Sequence, residues 1–527
     1  MSMNSPIALI SAILLPIVFG VLPSVCKPLG TPRARRHVVL TALILNTMIA
    51  AVIIAYSGAG QAVFSGAAAS SANSGIGQAA NSGAAIGNGS GAVQAFTVLR
   101  LSEKLPIVLS VDSLGALFFA IVAVMYLLSG IFSLEYMKHE ENTGRFYTFF
   151  LITLGMLNGM GLSGNLMTLY LFFEALTLLS LPLVIHSMTK EAVSATFKYL
   201  FYSIAGSSLA LVGFFYVYTY GNTLEFTPGG VLDMALLRGN EGAMLIAAML
   251  AVVGFGAKAG MFPLHGWLPS AHPVAPAPAS AILSGVITKA GVLAIIRYVF
   301  NIVGTDFLRG TWVQTTWMIL ALISVIMGSM LAYKEPMLKK RLAYSSISQV
   351  SYVLFGLFTL SETGVLGSLM QIMSHSIVKT CLFLAAGAFA YKTGAASVSQ
   401  LRGAGKRMPV TLSCFTLAAI ALVGIPPTSG FISKWTLAAG ALSADIGVFS
   451  WLGPVVLLLS ALLTAGYLLP VSISGFFPGR DAGAETEAQE VKRTGREISM
   501  LMIVPMAVLA ILALIAGFFF DSIVALF

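Results

Sequence analysis

Two interrupted apolar runs decide the fold of this sequence: Gly254-Phe-Gly-Ala-Lys-Ala-Gly-Met-Phe-Pro263 and Gly424-Ile-Pro-Pro-Thr-Ser-Gly-Phe-Ile-Ser-Lys434. Each cuts a stretch long enough to cross a bilayer. Glycine and proline release backbone groups from the helix ladder. Such breaks persist at membrane depth only where protein covers them or water reaches them. Along the chain the breaks fall in the seventh and twelfth of the apolar stretches enumerated below. A five-helix unit that recurs five helices later enters the membrane from the opposite side. The pattern therefore predicts an inverted repeat, helices 4–8 against helices 9–13, with the fourth helix of each broken. Paired broken helices at corresponding positions point to a transport site.

Composition agrees with a membrane fold. The chain has 527 residues, of which 57 % are hydrophobic and 9 % charged, against roughly 25 % charged in soluble domains. Its mean hydropathy is +0.91. So few charges could not cover the surface of a soluble protein, and the apolar content excludes a disordered chain. A helix needs about 20 apolar residues to cross a core about 30 Å thick. Such runs lie near 6–26, 37–56, 109–134, 146–163, 165–186, 196–219, 243–262, 280–301, 312–333, 342–360, 364–391, 409–440, 450–475 and 499–519. Their continuity excludes a β-barrel, which needs short alternating segments. The expectation is an all-α polytopic membrane protein of about fourteen transmembrane helices. Residues 1–145 would hold helices 1–3 with an outside loop at 57–108. Residues 146–301 and 302–475 would be the two five-helix repeats. Residues 476–527 would hold an inside polar loop and helix 14.

The basic residues orient these spans. With loop 27–36 inside, twenty of the 29 Lys and Arg residues fall in inside loops. Only Arg100, Lys104, Arg238 and Arg309 fall outside. The positive-inside bias then places both termini outside. The first helix has no basic residue before it, so it reads as a retained span and not as a cleaved signal. The net charge of +9 does not imply nucleic acid, because the charges sit in short loops and form no basic face with interleaved aromatics.

Several features are decoys. Residues 57–98 are rich in Gly, Ala, Ser and Asn and read as a flexible outside loop. Gly403-Ala-Gly-Lys-Arg407 lacks the spacing and the Ser/Thr of a phosphate loop. Cys26, Cys381 and Cys414 are far apart and form no metal pattern. No metal, cofactor or redox centre is expected on this chain, and any electrons would travel on another subunit.

Five basic residues remain, all within apolar spans: Lys258, Lys289, Arg297, Lys379 and Lys434. Arg297 is near a helix end, where its head can snorkel. The lysines have no such escape. Glu174 sits mid-span in helix 5, where a lone charge costs about 2.5–3.5 kcal/mol on insertion scales. Lys258 lies at the helix 7 break, where freed carbonyls could accept its protons. His375 and Lys379 are four apart and share one helix face. Together Glu174, Lys258, Lys289, His375, Lys379 and Lys434 read as a proton path along the membrane midplane. The competing reading is a static Glu174–Lys258 ion pair that only fixes helix packing. His265 and His272 follow the helix 7 break among prolines and are read either as a proton-uptake site or as solvated. His186 and His139 read as surface residues, and Asp112 as the N-cap of helix 3.

Four segments carry a resemblance: Pro263-Leu-His-Gly-Trp-Leu-Pro-Ser-Ala-His272, Arg341-Leu-Ala-Tyr-Ser-Ser-Ile-Ser-Gln349, His375-Ser-Ile-Val-Lys-Thr-Cys-Leu-Phe383 and Gly424–Lys434. They resemble the proton-conducting antiporter-type membrane subunits. That family includes the membrane-arm subunits of respiratory complex I, the A and D subunits of Mrp-type cation/proton antiporters, and the antiporter-like subunits of membrane-bound hydrogenases. The resemblance covers helices 3–13. It implies fourteen helices with inverted five-helix repeats and broken helices 7 and 12. It also implies that Glu174 and Lys258 match the helix 5 and helix 7 pair. Lys289 and Lys379 match the relay lysines of helices 8 and 11, and Lys434 matches the terminal residue on helix 12.

The resemblance implies an antiporter-like subunit of a multisubunit complex in a prokaryotic plasma membrane, translocating H⁺ with or without coupling to Na⁺. Lys434 looks more like the terminal residue of the Mrp antiporter's D subunit or of a hydrogenase-type subunit, and the long lateral helix of the largest complex I subunit is not expected here. The rivals are a complex I membrane-arm subunit and a structural scaffold. Its expected partners are other membrane subunits and the lipid bilayer, with no nucleic acid.

Overall fold

A computed structural model of the chain describes residues 6–56, 95–478 and 497–519. Residues 57–94 of the expected outside loop at 57–108, and residues 479–496 of the expected inside polar loop, lie outside these residues. What is described is almost wholly helical, as an all-α polytopic membrane protein requires. In chain order the long helices are α1 (Pro6–Val25), α2 (Pro32–Tyr56), α3 (Ser113–Tyr136), α4 (Thr143–Gly161), α5 (Leu166–Val184) and α6 (Lys190–Tyr220). Then come α7a (Glu241–Ala259) and α7b (Leu268–Val274), followed by α8 (Ala277–Val303). The remainder are α9 (Trp312–Lys334), α10 (Leu338–Phe358), α11 (Glu362–Thr393), α12a (Pro409–Val423), α12b (Ser429–Ser443), α13 (Phe449–Phe476) and α14 (Met500–Phe518).

Helix occupies every stretch the apolar pattern marks. Among the described residues, eleven helices are long and apolar enough to cross a membrane by themselves. The exceptions are α4, α10 and the α12 pair. Arg145 and a buried Asn158 dilute α4, where Asn158 Nδ2 donates to Asn46 Oδ1 and to Ala12 O at 2.7 Å each. Lysines, an arginine and a run of serines dilute α10, and α12 is cut in two.

Local chemistry sets the helix ends. Asp112 caps α3 by accepting from Gly115 N at 2.9 Å, as its position in the sequence predicts. Asn165, Thr189, Thr311 and Ser361 cap α5, α6, α9 and α11 in the same way. The expected outside loop is not all loop: Phe96–Arg100 (β1) and Pro106–Leu109 (β2) form an antiparallel hairpin. This delays the start of α3 to residue 113.

The two breaks are built alike. Gly260 ends α7a at φ 87° and Gly424 ends α12a at φ 90°, a left-handed conformation that only glycine adopts cheaply. In each, the next residue's N–H reaches back five residues, Met261 to Gly256 O and Ile425 to Ile420 O. That bond satisfies a carbonyl the helix end would orphan. Each break also holds a cis X-Pro bond, Phe262–Pro263 and Pro426–Pro427.

The core lies on α8 and α11, each buried over most of its length. Both are rich in Ala, Gly and Ser, which lets neighbouring backbones approach closely. Two π-helical turns, Leu283–Ile287 and Arg297–Val303, interrupt α8.

Arg297 does not snorkel. It is buried and binds the Asp112 carboxylate through both terminal nitrogens at 2.5 Å, with its guanidinium 4.7 Å from the centre of the Phe226 ring. Burial pushes the Asp112 carboxyl up, but the Arg297 charge and the hydrogen bonds from Arg297 and Gly115 outweigh it and hold the group below the usual carboxylate range. The pair pins the start of α3 to the end of α8. His186 is likewise not a surface residue. It is 4 % exposed, packed edge-on against Phe146 at 5.6 Å.

Candidate functional site

The residues that the sequence points to fall on five helices. Glu174 is on α5, Lys258 on the last turn of α7a, Lys289 mid-way along α8, His375 and Lys379 on α11, and Lys434 on α12b. Lys258, Lys289, His375 and Lys379 are each at most 2 % exposed. Lys434 and Glu174 are half-buried.

Lys258 does not use the carbonyls of its own break. Its Nζ donates across to α5, to Thr177 Oγ1 at 2.5 Å and Phe173 O at 3.1 Å. It sits 4.5 Å from the centre of the Phe173 ring. Among the described residues it forms no ion pair with Glu174. The Glu174 Oε1 atom is buried with no hydrogen-bond partner. The static pair is therefore not formed, and the carboxyl keeps a free acceptor next to a lysine that carries its own polar seat.

Lys289 donates to Ser284 O, a carbonyl on the first π-helical turn of α8. Ser284 Oγ shares a hydrogen bond with Ser346 Oγ of α10 at 2.8 Å. Ser346 Oγ donates to Leu342 O at 2.9 Å, and Lys379 Nζ donates to that same carbonyl at 2.9 Å. Lys379 also donates to Ser345 Oγ. Lys289 and Lys379 thus share one hydrogen-bonded strip of α10.

The strip continues. Gln371 Nε2 of α11 donates to Gln349 Oε1 at 2.9 Å, and Ser433 Oγ of α12b donates to Gln371 Oε1 at 2.6 Å. Next to Ser433, Lys434 Nζ donates to Leu422 O at 2.5 Å and Val423 O at 2.9 Å, the last carbonyls of α12a. Its ammonium also lies 5.3 Å from the centre of the Tyr352 ring. Lysine at a helix C-terminus satisfies orphan carbonyls and the negative end of the helix dipole.

Ser345, Ser346, Gln349, Gln371 and Ser433 are not among the residues the sequence reading selects. The signal of Ser345, Ser346 and Gln349 is visible as Tyr344-Ser-Ser-Ile-Ser-Gln349, an unusually polar run inside an apolar stretch. A polar residue in a span demands a partner much as a charged one does.

His272 is on α7b, fully buried, and stacked on Phe383 at 4.7 Å. His272 and His375 each have two ring nitrogens without a protein partner, and His265 has one, Nδ1. Buried polar atoms that lack protein partners are the usual seats of internal water. His265 stacks on Phe262 at 5.9 Å and is half-buried. Among the described residues no hydrogen bond links Lys258 to Lys289, so the site divides into an α5/α7 part and an α8/α10/α11/α12 part. No group of three or more His, Cys, Asp or Glu among the described residues is placed to hold a metal ion.

Comparison with known proteins gives a consistent picture. Residues 163–464 match the family described as NADH:quinone oxidoreductase/Mrp antiporter, TM. Residues 101–147 match NADH-Ubiquinone oxidoreductase (complex I), chain 5 N-terminus. The chain is 32 % identical over 424 residues to the N subunit of NADH-quinone oxidoreductase from Desulforudis audaxviator, covering 79 % of this chain and 83 % of that one. It is 30 % identical over 413 residues to the D subunit of the Na(+)/H(+) antiporter from Bacillus subtilis, covering 78 % and 80 %. A solved chain of the membrane-bound sulfane sulfur reductase, an archaeal respiratory membrane complex, superposes with TM-score 0.80 at 24 % identity. That match covers 99 % of this chain and 96 % of the other, and at such identity it speaks for the fold.

Proposed function

This chain belongs to the family of NADH:quinone oxidoreductase and Mrp antiporter membrane subunits, and from that premise we propose that it is an antiporter-like subunit of a multisubunit membrane complex that moves protons along a buried relay. The carriers are Glu174 and Lys258 in one part, and Lys289, His375, Lys379 and Lys434 in the other. Protons are taken up from the face rich in basic residues near His265 and His272. They leave through the α5/α7 part or laterally through Lys379 and Lys434.

The observation that carries this reading is the absence of counter-ions. Six ionisable side chains lie buried or half-buried, and among the described residues none of them is in an ion pair. Static packing charges are expected to be paired, because a buried unpaired charge is costly. Here each lysine is held by hydroxyls and carbonyls, which stabilise it without fixing its charge. Such groups let a lysine gain and lose a proton in place.

The two five-helix units, 146–301 and 302–475, are proposed as the two inverted halves of the transporter. The matching geometry of the Gly260 and Gly424 breaks supports that division. Both termini are assigned to the outside of a prokaryotic plasma membrane. Na⁺ is a candidate coupled ion, by analogy with the Bacillus subtilis relative.

The best reading of the complex is an Mrp-type assembly, with this chain in the place of the D subunit, or a hydrogenase-type assembly. The Desulforudis relative supports a second reading, a membrane arm driven by a redox module. No cofactor is assigned to this chain in either case. The direct test is transport by the complex purified from its host and sealed into vesicles. Lys258→Ala should assemble and carry no protons; full transport by that complex would sink the relay. The co-purifying subunits decide the driving force. Iron–sulfur or dehydrogenase chains mark a redox-driven arm, and only small hydrophobic chains with other antiporter-like chains mark an exchanger.

A further inference from the structure

Three consecutive basic residues open α10, and they do different things. Arg341 ties the helix start to its surroundings, with Nε donating to Glu335 O at 2.7 Å and Nη1 to Tyr467 O at 2.8 Å. Lys340 pairs with the Glu335 carboxylate at 2.9 Å and stays near the surface. Lys339 turns inward. Its Nζ donates to Ala275 O at 3.1 Å, on the bend between α7b and α8. Among the described residues it forms no ion pair.

The bend that Lys339 touches also positions His272. Ser280 Oγ donates to His272 O at 2.9 Å and to Ala275 O at 3.2 Å. The His272 ring stacks on Phe383, one helical turn beyond Lys379 on α11, and the charges of Lys379, Lys339 and Lys289 bear on it. Glu140, half-buried at the end of the turn that follows α3, is the acid whose charge bears on Lys339. A succession of titratable groups therefore runs from the half-buried Glu140 and Lys339, through His272 with its two unpartnered ring nitrogens, to the buried Lys379.

We propose that Lys339 is a further proton-carrying residue, the mouth of the uptake path, which passes protons through His272 to Lys379. The proposal rests on the relay reading above. In the step, the Lys339 ammonium gives one proton to a neutral His272 nitrogen, directly or through a water, and becomes a neutral amine. The imidazolium passes that proton to a neutral Lys379, and Lys339 takes its replacement from the aqueous face. Lys340, one residue away and held by Glu335, takes no part.

The alternative is that Lys339 only caps the end of α7b, since Ala275 is the residue that follows that helix. Arginine separates the two roles. It keeps the charge and the donors a cap needs. Because it does not give up its proton in proteins, it cannot relay. The experiment compares Lys339→Arg, Lys339→Ala, Lys340→Ala and Lys258→Ala in the whole complex, reconstituted in vesicles with a pH-sensitive dye. Assembly of each is checked on native gels.

Lys339→Arg and Lys339→Ala should assemble and lose roughly tenfold or more of the proton flux, while Lys340→Ala stays at the wild-type rate. Wild-type flux in Lys339→Arg overturns the proposal, and so does failure of both Lys339 variants to assemble, which assigns a capping role. If Lys258→Ala is inactive while Lys339→Arg is normal, only the uptake path fails. If Lys258→Ala transports fully, the relay reading itself fails.

Discussion

Lys258 and Glu174 are neighbours that do not pair. The lysine spends its hydrogen bonds on Thr177 Oγ1 and Phe173 O, three residues after and one residue before the glutamate on α5. The carboxyl oxygen Oε1 is left buried without a partner. The two groups are close enough for their charges to interact, yet neither depends on the other for its position. A transported proton needs this arrangement, because a tight pair would hold both charges in place.

The stability of Glu174→Gln tests that arrangement. Removing one partner of a buried ion pair costs about 3–5 kcal/mol. Without a pair to break, the substitution should cost about 1 kcal/mol or less, while proton flux falls steeply. Thermal unfolding of the detergent-solubilised complex gives the first quantity and vesicle transport the second. A loss of several kcal/mol with flux preserved would return the residue to a packing role.

Ser346 is the hinge of the hydrogen-bonded strip between Lys289 and Lys379. Its hydroxyl bonds to Ser284 Oγ and to the carbonyl of Leu342 that Lys379 also uses. Ser346→Ala should cost about 1 kcal/mol for the lost bonds and slow transport measurably. Ser361→Ala is the comparison. It removes the cap hydroxyl of α11 at a similar cost and should leave the flux unchanged. Equal flux in the two variants would detach the strip from proton movement.

Much of this site is legible in the sequence, and the missing part has one cause. Apolar run length marks the helices, and Gly-Met-Phe-Pro and Gly-Ile-Pro-Pro mark the breaks. Charged residues inside apolar runs mark Lys258, Lys289, Lys379 and Lys434. What cannot be read is pairing. Arg297 near a helix end looks free to reach water, but Asp112, far away in the chain, closes on it. His186 beside a helix end looks exposed, but α4 folds over it. The serines and glutamines of α10 and α11 escape notice because a neutral polar residue gives a weak signal until its partner is known. The β1–β2 hairpin is hidden because it follows a long stretch without periodicity.

His186 gives a pH prediction. Its ring is buried and lies near Arg145, whose Nη2 donates to the His186 carbonyl at 2.6 Å. Burial, assisted by the Arg145 charge, lowers its pKa to about 4, below the ordinary value of about 6.5. Between these values the unfolded chain takes up a proton that the native protein refuses. Stability from this residue is therefore intact above about pH 6.5 and falls as pH drops towards 4. His186→Phe keeps the edge contact with Phe146 and removes the titration. Between about pH 7 and pH 5 the wild type should lose on the order of 1 kcal/mol more than the variant. Thermal midpoints at the two pH values decide the matter, and equal losses would show that His186 is protonated without strain.

Gly424 separates the geometry of the α12 break from the role of Lys434. At φ 90° it adopts a conformation that costs a residue with a side chain about 1–2 kcal/mol. An added Cβ would also lie 3.0 Å from Lys434 Cδ and 3.4 Å from its Nζ. Gly424→Ala therefore strains the backbone and pushes the lysine away from the carbonyls of Leu422 and Val423. Gly394, at the end of α11, has φ 70° and open space where its Cβ would be, so Gly394→Ala carries the backbone strain alone. Gly424→Ala should lose at least as much stability as Gly394→Ala, while proton flux falls only in Gly424→Ala. Lys434→Gln in the Gly424→Ala background then checks the route. If the glycine acts through the lysine, the double variant transports no less than Lys434→Gln alone. Additive losses would mean that the break serves transport independently of Lys434, as a hinge and not as the seat of that amine.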